Sequence, residues 1–262
     1  MTMAPAAAVG RTFVIGDIHG DRALLEPLLA ALPFIAPDDT LVFLGDYVDR
    51  GPDSRGVVEI LRRLPEKTVG KVVFLRGNHE DALLRTIDDK DASFVMPPGN
   101  GVAASFHSFA DLAPPVAGGL VAAEHFERYL DPSQWLPPPV VSWMRDLPLW
   151  YRDHHAVYVH AGLEGEGTVW NPPETSTAKS LLWQREPDFF VGYGGPPLVF
   201  GHTATSDLPP EDPSRTTAWT RGPLVGIDTG AGKGGPLTCL ELPSRTVYQA
   251  FPDGSVTTTA LA

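Results

Sequence analysis

Across residues 11–87 short apolar, β-rich runs alternate with helix-like segments, and this alternation narrows the fold further than any other feature of the chain. The runs occupy Thr12–Ile15, 41–44 and 71–75, and each ends in a polar cluster. Leu24, Leu25, Leu28, Leu29 and Leu32 recur at three- and four-residue spacing, the pattern of one helix face. Pro27 is expected in or near the first turn of that helix, where a missing N–H matters least. A second helix is expected over residues 54–64, with Val57, Val58, Ile60, Leu61 and Leu64 facing inward, and a third from about Glu80. Strand–helix–strand units of roughly thirty residues predict an α/β chain with a parallel sheet.

Residues 88–140 lose this rhythm. Pro97–Pro98, Pro114–Pro115, Gly118–Gly119 and Pro137–Pro139 interrupt them, with a helical patch over 122–129. We read them as a partly helical, irregular insertion within one domain spanning residues 1–262. A helix is expected over 141–146, then strands over 156–159, Leu198–Phe200, 224–227, Leu237–Leu242 and 246–251.

In parallel α/β sheets ligands bind beyond the carboxyl ends of the strands. Here those ends carry an unusual set of residues. GDIHG supplies Asp17 and His19; GDYVDRG supplies Asp46, Asp49 and Arg50; RGNHE supplies Arg76, Asn78 and His79. Later strands end in HAG, with His160, and GHT, with His202. Gly16, Gly45, Gly77 and Gly201 each precede one of these groups, and Gly162 follows one closely, as sharp turns and close backbone approach require. Two carboxylates, an amide and three histidines form a mixed oxygen and nitrogen donor set suited to Mn²⁺, Fe or Zn²⁺. Two carboxylates do not neutralise two dications, so such a centre would hold a phosphate dianion. Metal coordination also lowers the pKa of water from 15.7 to roughly 7, which supplies a nucleophile for phosphate-ester hydrolysis.

The series GDIHG, GDYVDRG, LRGNHE, HAG and GHT resembles, in order from Gly16 to about Gly230, the phosphoprotein phosphatase family of calcineurin-like metallophosphoesterases. The resemblance implies an α/β sandwich of two mixed β-sheets flanked by helices, and two divalent ions, with Mn²⁺ favoured and Fe or Zn²⁺ compatible. By position it implies that Asp17 and His19 bind the first ion, Asp46 bridges both, and Asn78, His160 and His202 complete the second. The catalytic set would be His79, Asp49 and Arg50. His79 would protonate the leaving alcohol, Asp49 would orient it, and Arg50 would hold the phosphoryl oxygens in its planar fork. A hydroxide held between the ions would attack phosphorus in line. Arg185, in LLWQRE, is the candidate for a further phosphate-binding arginine. Arg76 would either touch phosphate or support its loop. After the last histidine, the stretch IDTGAGKGG lacks the aromatic-bearing loop of eukaryotic members and is more like the bacterial branch and the diadenosine tetraphosphatases. The function expected is serine/threonine phosphoprotein hydrolysis. The alternatives are symmetrical dinucleoside polyphosphate hydrolysis and a catalytically silent phosphoprotein-binding module. The histidine of GDIHG favours the phosphatases, because the dinucleotide branch usually carries glutamine there.

Other features have plainer readings. GAGKGG lacks the P-loop spacing and carries Gly234 where Ser or Thr is required, so a glycine-rich turn is expected. Asp228 within that turn either orients a ligand or closes an Asx turn. Glu80 is either a helix-start carboxylate or a support for the site. His107, His125, His154 and His155 are expected to be structural or solvated, and Trp135, Trp143 and Trp150 to pack the insertion against the body. A formal charge of −12 argues against nucleic acid as a partner. No apolar run is long enough to span a bilayer, and residues 1–10 do not read as a secretory signal. The lone Cys239 fits a reducing compartment, so a cytoplasmic location is expected, with a phosphoprotein or small phosphoester as substrate.

Overall fold

In the computed structural model, which describes residues 10–115, 120–166 and 169–261, two mixed sheets stack face to face. The strands are β1 (Thr12–Ile15), β2 (Thr40–Phe43), β3 (Lys71–Phe74), β4 (Trp150–Arg152), β5 (Val157–Val159), β6 (Gly165–Glu166), β7 (Val169–Trp170), β8 (Leu198–Phe200), β9 (Trp219–Arg221), β10 (Leu224–Gly226), β11 (Leu237–Leu242), β12 (Thr246–Ala250) and β13 (Val256–Ala260). The first sheet runs β13-β12-β11-β1-β2-β3, the second β4-β5-β8-β10-β9, and β6 and β7 form a separate hairpin. Parallel pairing holds within β1-β2-β3 and within β5-β8-β10, whereas β11, β12 and β13 pair antiparallel. The parallel sheet read from the amino-terminal rhythm is thus half of a mixed one. The mixed sandwich implied by the motifs is the architecture observed.

Side chains alternate across each strand, and both faces are used. Val14, Val42 and Val73 point from the first sheet into a core shared with Tyr158, Val199 and Val225 of the second. Their neighbours Phe13, Ile15, Leu41 and Phe43 face the other way, onto helices α1 (Arg22–Ala31) and α2 (Ser54–Arg63). Val157, Val159, Leu198 and Phe200 face a third core with Phe189 and Phe190. Burial on both faces explains why the parallel strands read as continuous apolar runs.

Two local expectations are corrected. Pro27 lies in the interior of α1, not its first turn; the Ala23 carbonyl that loses its partner belongs to an exposed residue, so the break is tolerated. Helix α3 (Asn78–Asp89) begins two residues before Glu80, which places Asn78 and His79 in its first turn. Residues 88–140 contain α4 (Val102–Phe109) and α5 (Phe126–Tyr129) and lead into α6 (Pro138–Asp146); their Val95, Val102, Phe106, Tyr129 and Trp135 join the same core as Phe13 and Phe43. Trp135 packs on Phe106 and Phe109, and Trp143 packs on Tyr47 and Phe74 of the body. The pair Gly118–Gly119 and residues 1–9 lie outside the described residues. Two short helices, α7 (Ala178–Trp183) and α8 (Pro187–Gly192), complete the chain. Among the described residues no helix is long and apolar enough to cross a membrane.

The sheets are tied together near the amino end of β1. Asp153 accepts the hydroxyl of Thr12, from β1, at 2.6 Å and that of Tyr158, from β5, at 2.9 Å. Both hydroxyl-bearing residues are buried, so Asp153→Ala strands two polar groups at about 1–3 kcal/mol each. The expected result is a fall in Tm of roughly 5–10 °C by calorimetry with divalent-ion binding unchanged.

Candidate metal centre

Six parallel strands deliver their carboxyl ends to one edge of the sandwich. β1 leads to Asp17 and His19, β2 to Asp46, Asp49 and Arg50, and β3 to Asn78 and His79. From the second sheet, β5 leads to His160, β8 to His202 and β10 to Asp228. All these side chains except Arg50 are at least nine-tenths buried. The backbone bends sharply to bring them in. Of the eight non-glycine residues with positive φ among those described, five are His19, Asp46, Asp49, Arg50 and His202. Each such position costs of order 1–3 kcal/mol and persists only where the surroundings hold it.

The holding contacts are visible. The Asp46 carbonyl accepts the N–H groups of Ile18 and His19 at 3.0 and 2.8 Å, which joins the first two loops. Glu80 joins the second and third: its carboxylate accepts the N–H groups of Asp46, Tyr47 and Gly77 at 2.8–2.9 Å. Both readings of Glu80 therefore hold in one group, which caps α3 and braces the Asp46 turn. Burial, then the nearby Asp46 charge, pushes its carboxyl up to about 7. Glycine is required where loops touch. A Cβ on Gly201 would lie 2.1 Å from an Asp17 oxygen, and at Gly45, where φ is +106°, it would meet the Gly77 backbone at 2.5 Å.

Two groups of donors result, sharing Asp46: His19, Asp46 and His79, and Asp46, His160 and His202. Asn78 belongs with the second, its Oδ1 lying 2.9 Å from His160 Nε2 and 2.8 Å from His202 Nδ1. Asp17 lies beside them, accepting the His202 N–H and standing 3.9 Å from His19 Nε2. The ring orientations suit ligation. His19 and His160 each turn Nδ1 to a backbone carbonyl, of Val48 and Leu44. A carbonyl only accepts, so Nδ1 carries the proton and Nε2 turns its lone pair to the centre. The Asn78 oxygen and the His160 Nε2 lone pair then face each other with no proton to share, and His202 Nε2 is buried without a partner. A cation resolves the first of these conflicts. The charges agree: burial, with Asp228 and Asp46 nearby, holds Asp17 well above the usual carboxylate range, and burial also raises Asp228. Burial lowers His19, His160 and His202, which keeps their lone pairs free. The residues fit divalent cations.

His79 is held differently. Its Nδ1 meets Asp49 Oδ2 at 2.6 Å, leaving Nε2 toward the centre, 3.8 Å from Asp46. Burial opposes its charge, but Asp46 and Asp49 outweigh burial and raise its pKa. The Arg50 guanidinium enters the same space and touches His19 Nε2. Arg185 lies exposed at the rim, its guanidinium 3.2 Å from the His202 carbonyl. Arg76 turns away: it donates to the Arg145 carbonyl at 2.7 Å and pairs with Asp81 at 3.4 Å, so its contacts are those of loop support rather than phosphate binding. Asp228 accepts the Gly230 N–H in an Asx turn while remaining buried beside Asp17. His107 and His125 pack on Phe106, and His155 bonds the Gly10 carbonyl.

Three neighbours escaped the sequence reading. Phe94 packs edge-on against His79 and Trp183 against His202, walling one side of the centre. Ser105 bonds Asp49 from α4. Trp183 had a signal, being two residues from Arg185 in LLWQRE; Phe94 and Ser105 had none.

The known proteins agree with this architecture. A family model described as calcineurin-like phosphoesterase matches residues 10–214. Serine/threonine-protein phosphatase 2 of Escherichia coli (strain K12) is 36% identical over 87 residues, which are 33% of this chain and 37% of that protein. The symmetrical bis(5'-nucleosyl)-tetraphosphatase of Coxiella burnetii (strain Dugway 5J108-111) is 28% identical over 180 residues, 67% of this chain and 47% of that protein. The chain thus spans less than half the length of these curated relatives. The crystal structure of a putative diadenosine tetraphosphatase superposes with a TM-score of 0.61 at 25% identity, covering 97% of this chain and 94% of that one.

Two substitutions test how the centre is built. Gly201→Ala is expected to displace Asp17 and lower Mn²⁺ affinity at least tenfold by calorimetric titration, with the fold retained by circular dichroism. Glu80→Gln replaces one acceptor oxygen by a donor amide facing backbone N–H groups, and is expected to weaken Mn²⁺ binding by about 10–100-fold.

Proposed function

The chain belongs to the calcineurin-like phosphoesterase family, and from that premise we propose that it is a dinuclear-metal-dependent phosphomonoesterase acting on serine/threonine phosphoproteins. The observation that carries the reading is the pairing of a doubly clustered donor set with His79 on Asp49 and with Arg50 beside it. Asp17, His19 and Asp46 would hold one ion, and Asp46, Asn78, His160 and His202 the other. The ions would supply the nucleophile at neutral pH and part of the charge neutralisation; the mixed oxygen and nitrogen donors suit Mn²⁺, Fe or Zn²⁺, of which we propose Mn²⁺.

The protein's own groups do the remaining work. Arg50 donates to the phosphoryl oxygens and spreads their charge over its planar fork. Arg185 reaches the same oxygens from the rim. His79, with Nδ1 committed to Asp49, gives the proton on Nε2 to the departing alkoxide. Asp49 keeps that ring in one orientation and favours its protonated form. Phe94 and Trp183 exclude water from one side of the reacting group. A silent binding module would have no use for a proton donor oriented in this way.

A second reading, symmetrical hydrolysis of dinucleoside tetraphosphates, draws on the likeness to the putative diadenosine tetraphosphatase, whose match covers 97% of this chain. A substrate panel with Mn²⁺-loaded protein separates the two. Turnover of phosphoserine and phosphothreonine peptides and of an aryl phosphate is expected; cleavage of diadenosine tetraphosphate alone would overturn the substrate assignment. His79→Asn is expected to lower kcat on a phosphoserine peptide by about 10²–10⁴-fold with metal content unchanged.

A further inference from the structure

The irregular segment between the general-acid loop and the second sheet touches the centre through Phe94, which packs on His79, and through the start of α4. Ser105, fully buried, donates its hydroxyl to Asp49 Oδ1 at 2.6 Å and accepts the Asp49 N–H at 2.7 Å. The other oxygen of Asp49 is the one that holds His79. Ser54 Oγ lies 2.9 Å from Ser105 Oγ and 3.1 Å from the Asp49 nitrogen, which closes a buried ring of contacts. One turn earlier, the Gly101 carbonyl accepts the Arg50 N–H at 3.0 Å. A Cβ on Gly101 would come within 2.7 Å of the Arg50 backbone, so the two strands of chain are in direct contact.

Asp49 and Arg50 have φ of +72° and +69°, and neither is glycine. Backbone in that region needs contacts from outside the loop to persist. Residues 101–105 supply them for both. The carboxylate of Asp49 would otherwise turn about its side-chain bonds, and the His79 ring would turn with it.

Resting on the phosphomonoesterase reading, we propose that Ser105 is a positioning residue for the general acid, and that α4 serves as a brace clamping Asp49 and Arg50 in their strained conformation. The insertion is then part of the catalytic apparatus, acting through hydrogen bonds and never through contact with substrate.

The proposal predicts a defect that depends on the leaving group. Phosphoserine needs its oxygen protonated as it departs, whereas 2,4-dinitrophenolate leaves without help. In Mn²⁺-loaded protein, Ser105→Ala and the near-isosteric Ser105→Cys are expected to lower kcat on a phosphoserine peptide by about 10–100-fold. On 2,4-dinitrophenyl phosphate the expected loss is below about threefold, with KM and metal content unchanged, and Ser105→Thr restores the peptide activity. Should the alanine variant fail to fold, the cysteine variant carries the comparison. In the Mn²⁺-loaded protein, amide hydrogen exchange at Asp49 and Arg50 is expected to quicken by about tenfold in either variant. An equal loss on both substrates, no loss on either, or unchanged exchange would overturn the brace. Wild-type protein inactive on every phosphomonoester would instead overturn the functional reading, and the exchange measurement would still decide the role of Ser105.

Discussion

The centre depends on how the Asp46 turn is held. Its carboxylate is common to both donor groups, its carbonyl ties down the Ile18–His19 backbone, and its N–H is bound by Glu80. Its φ of +54° is one an aspartate adopts only under such restraint. Each contact comes from a different loop, so the geometry of any one loop is set by the others. The strain at Asp46, His19 and His202 is offset by hydrogen bonds inside the same cluster, and the converging buried acceptors suit divalent cations.

The sandwich makes that convergence possible. Two parallel trios, one in each sheet, present their carboxyl ends on the same side, so six short loops reach one another across a shared core of Val14, Val42, Tyr158 and Val199. At the amino end of β1, Asp153 links the sheets through Thr12 and Tyr158. Structural polarity and chemical polarity thus sit at opposite ends of the strands: hydroxyl pairing at one, ligating groups at the other.

Much of this was legible in the sequence because the informative signals are local. Strand, glycine and ligand lie within five or six residues of one another in GDIHG, GDYVDRG and RGNHE, and apolar runs mark the buried strands. Where the signal was not local, the reading stopped. Helix α3 starts before Glu80 because the Glu80 carboxylate caps Gly77, a contact three residues back that periodicity does not register. Edge strands β9 and β13 carry exposed, polar positions and lack the apolar run that betrays a central strand. Arg76 and Arg185 each adjoin a motif, and only the fold directs one to Asp81 and the Arg145 carbonyl and the other to the rim.

The amino-acid sequence by itself determined which donors exist and at which strand ends, and hence a centre able to hold divalent cations. It could do so because residue type and backbone turn are encoded within a few consecutive positions. Tertiary structure alone decided which nitrogen of His19 and of His160 faces inward, and that Ser105, 56 residues from Asp49, reaches its carboxylate. Those are distances through space between segments far apart along the chain. They arise only when the two sheets pack and the insertion closes over the second loop.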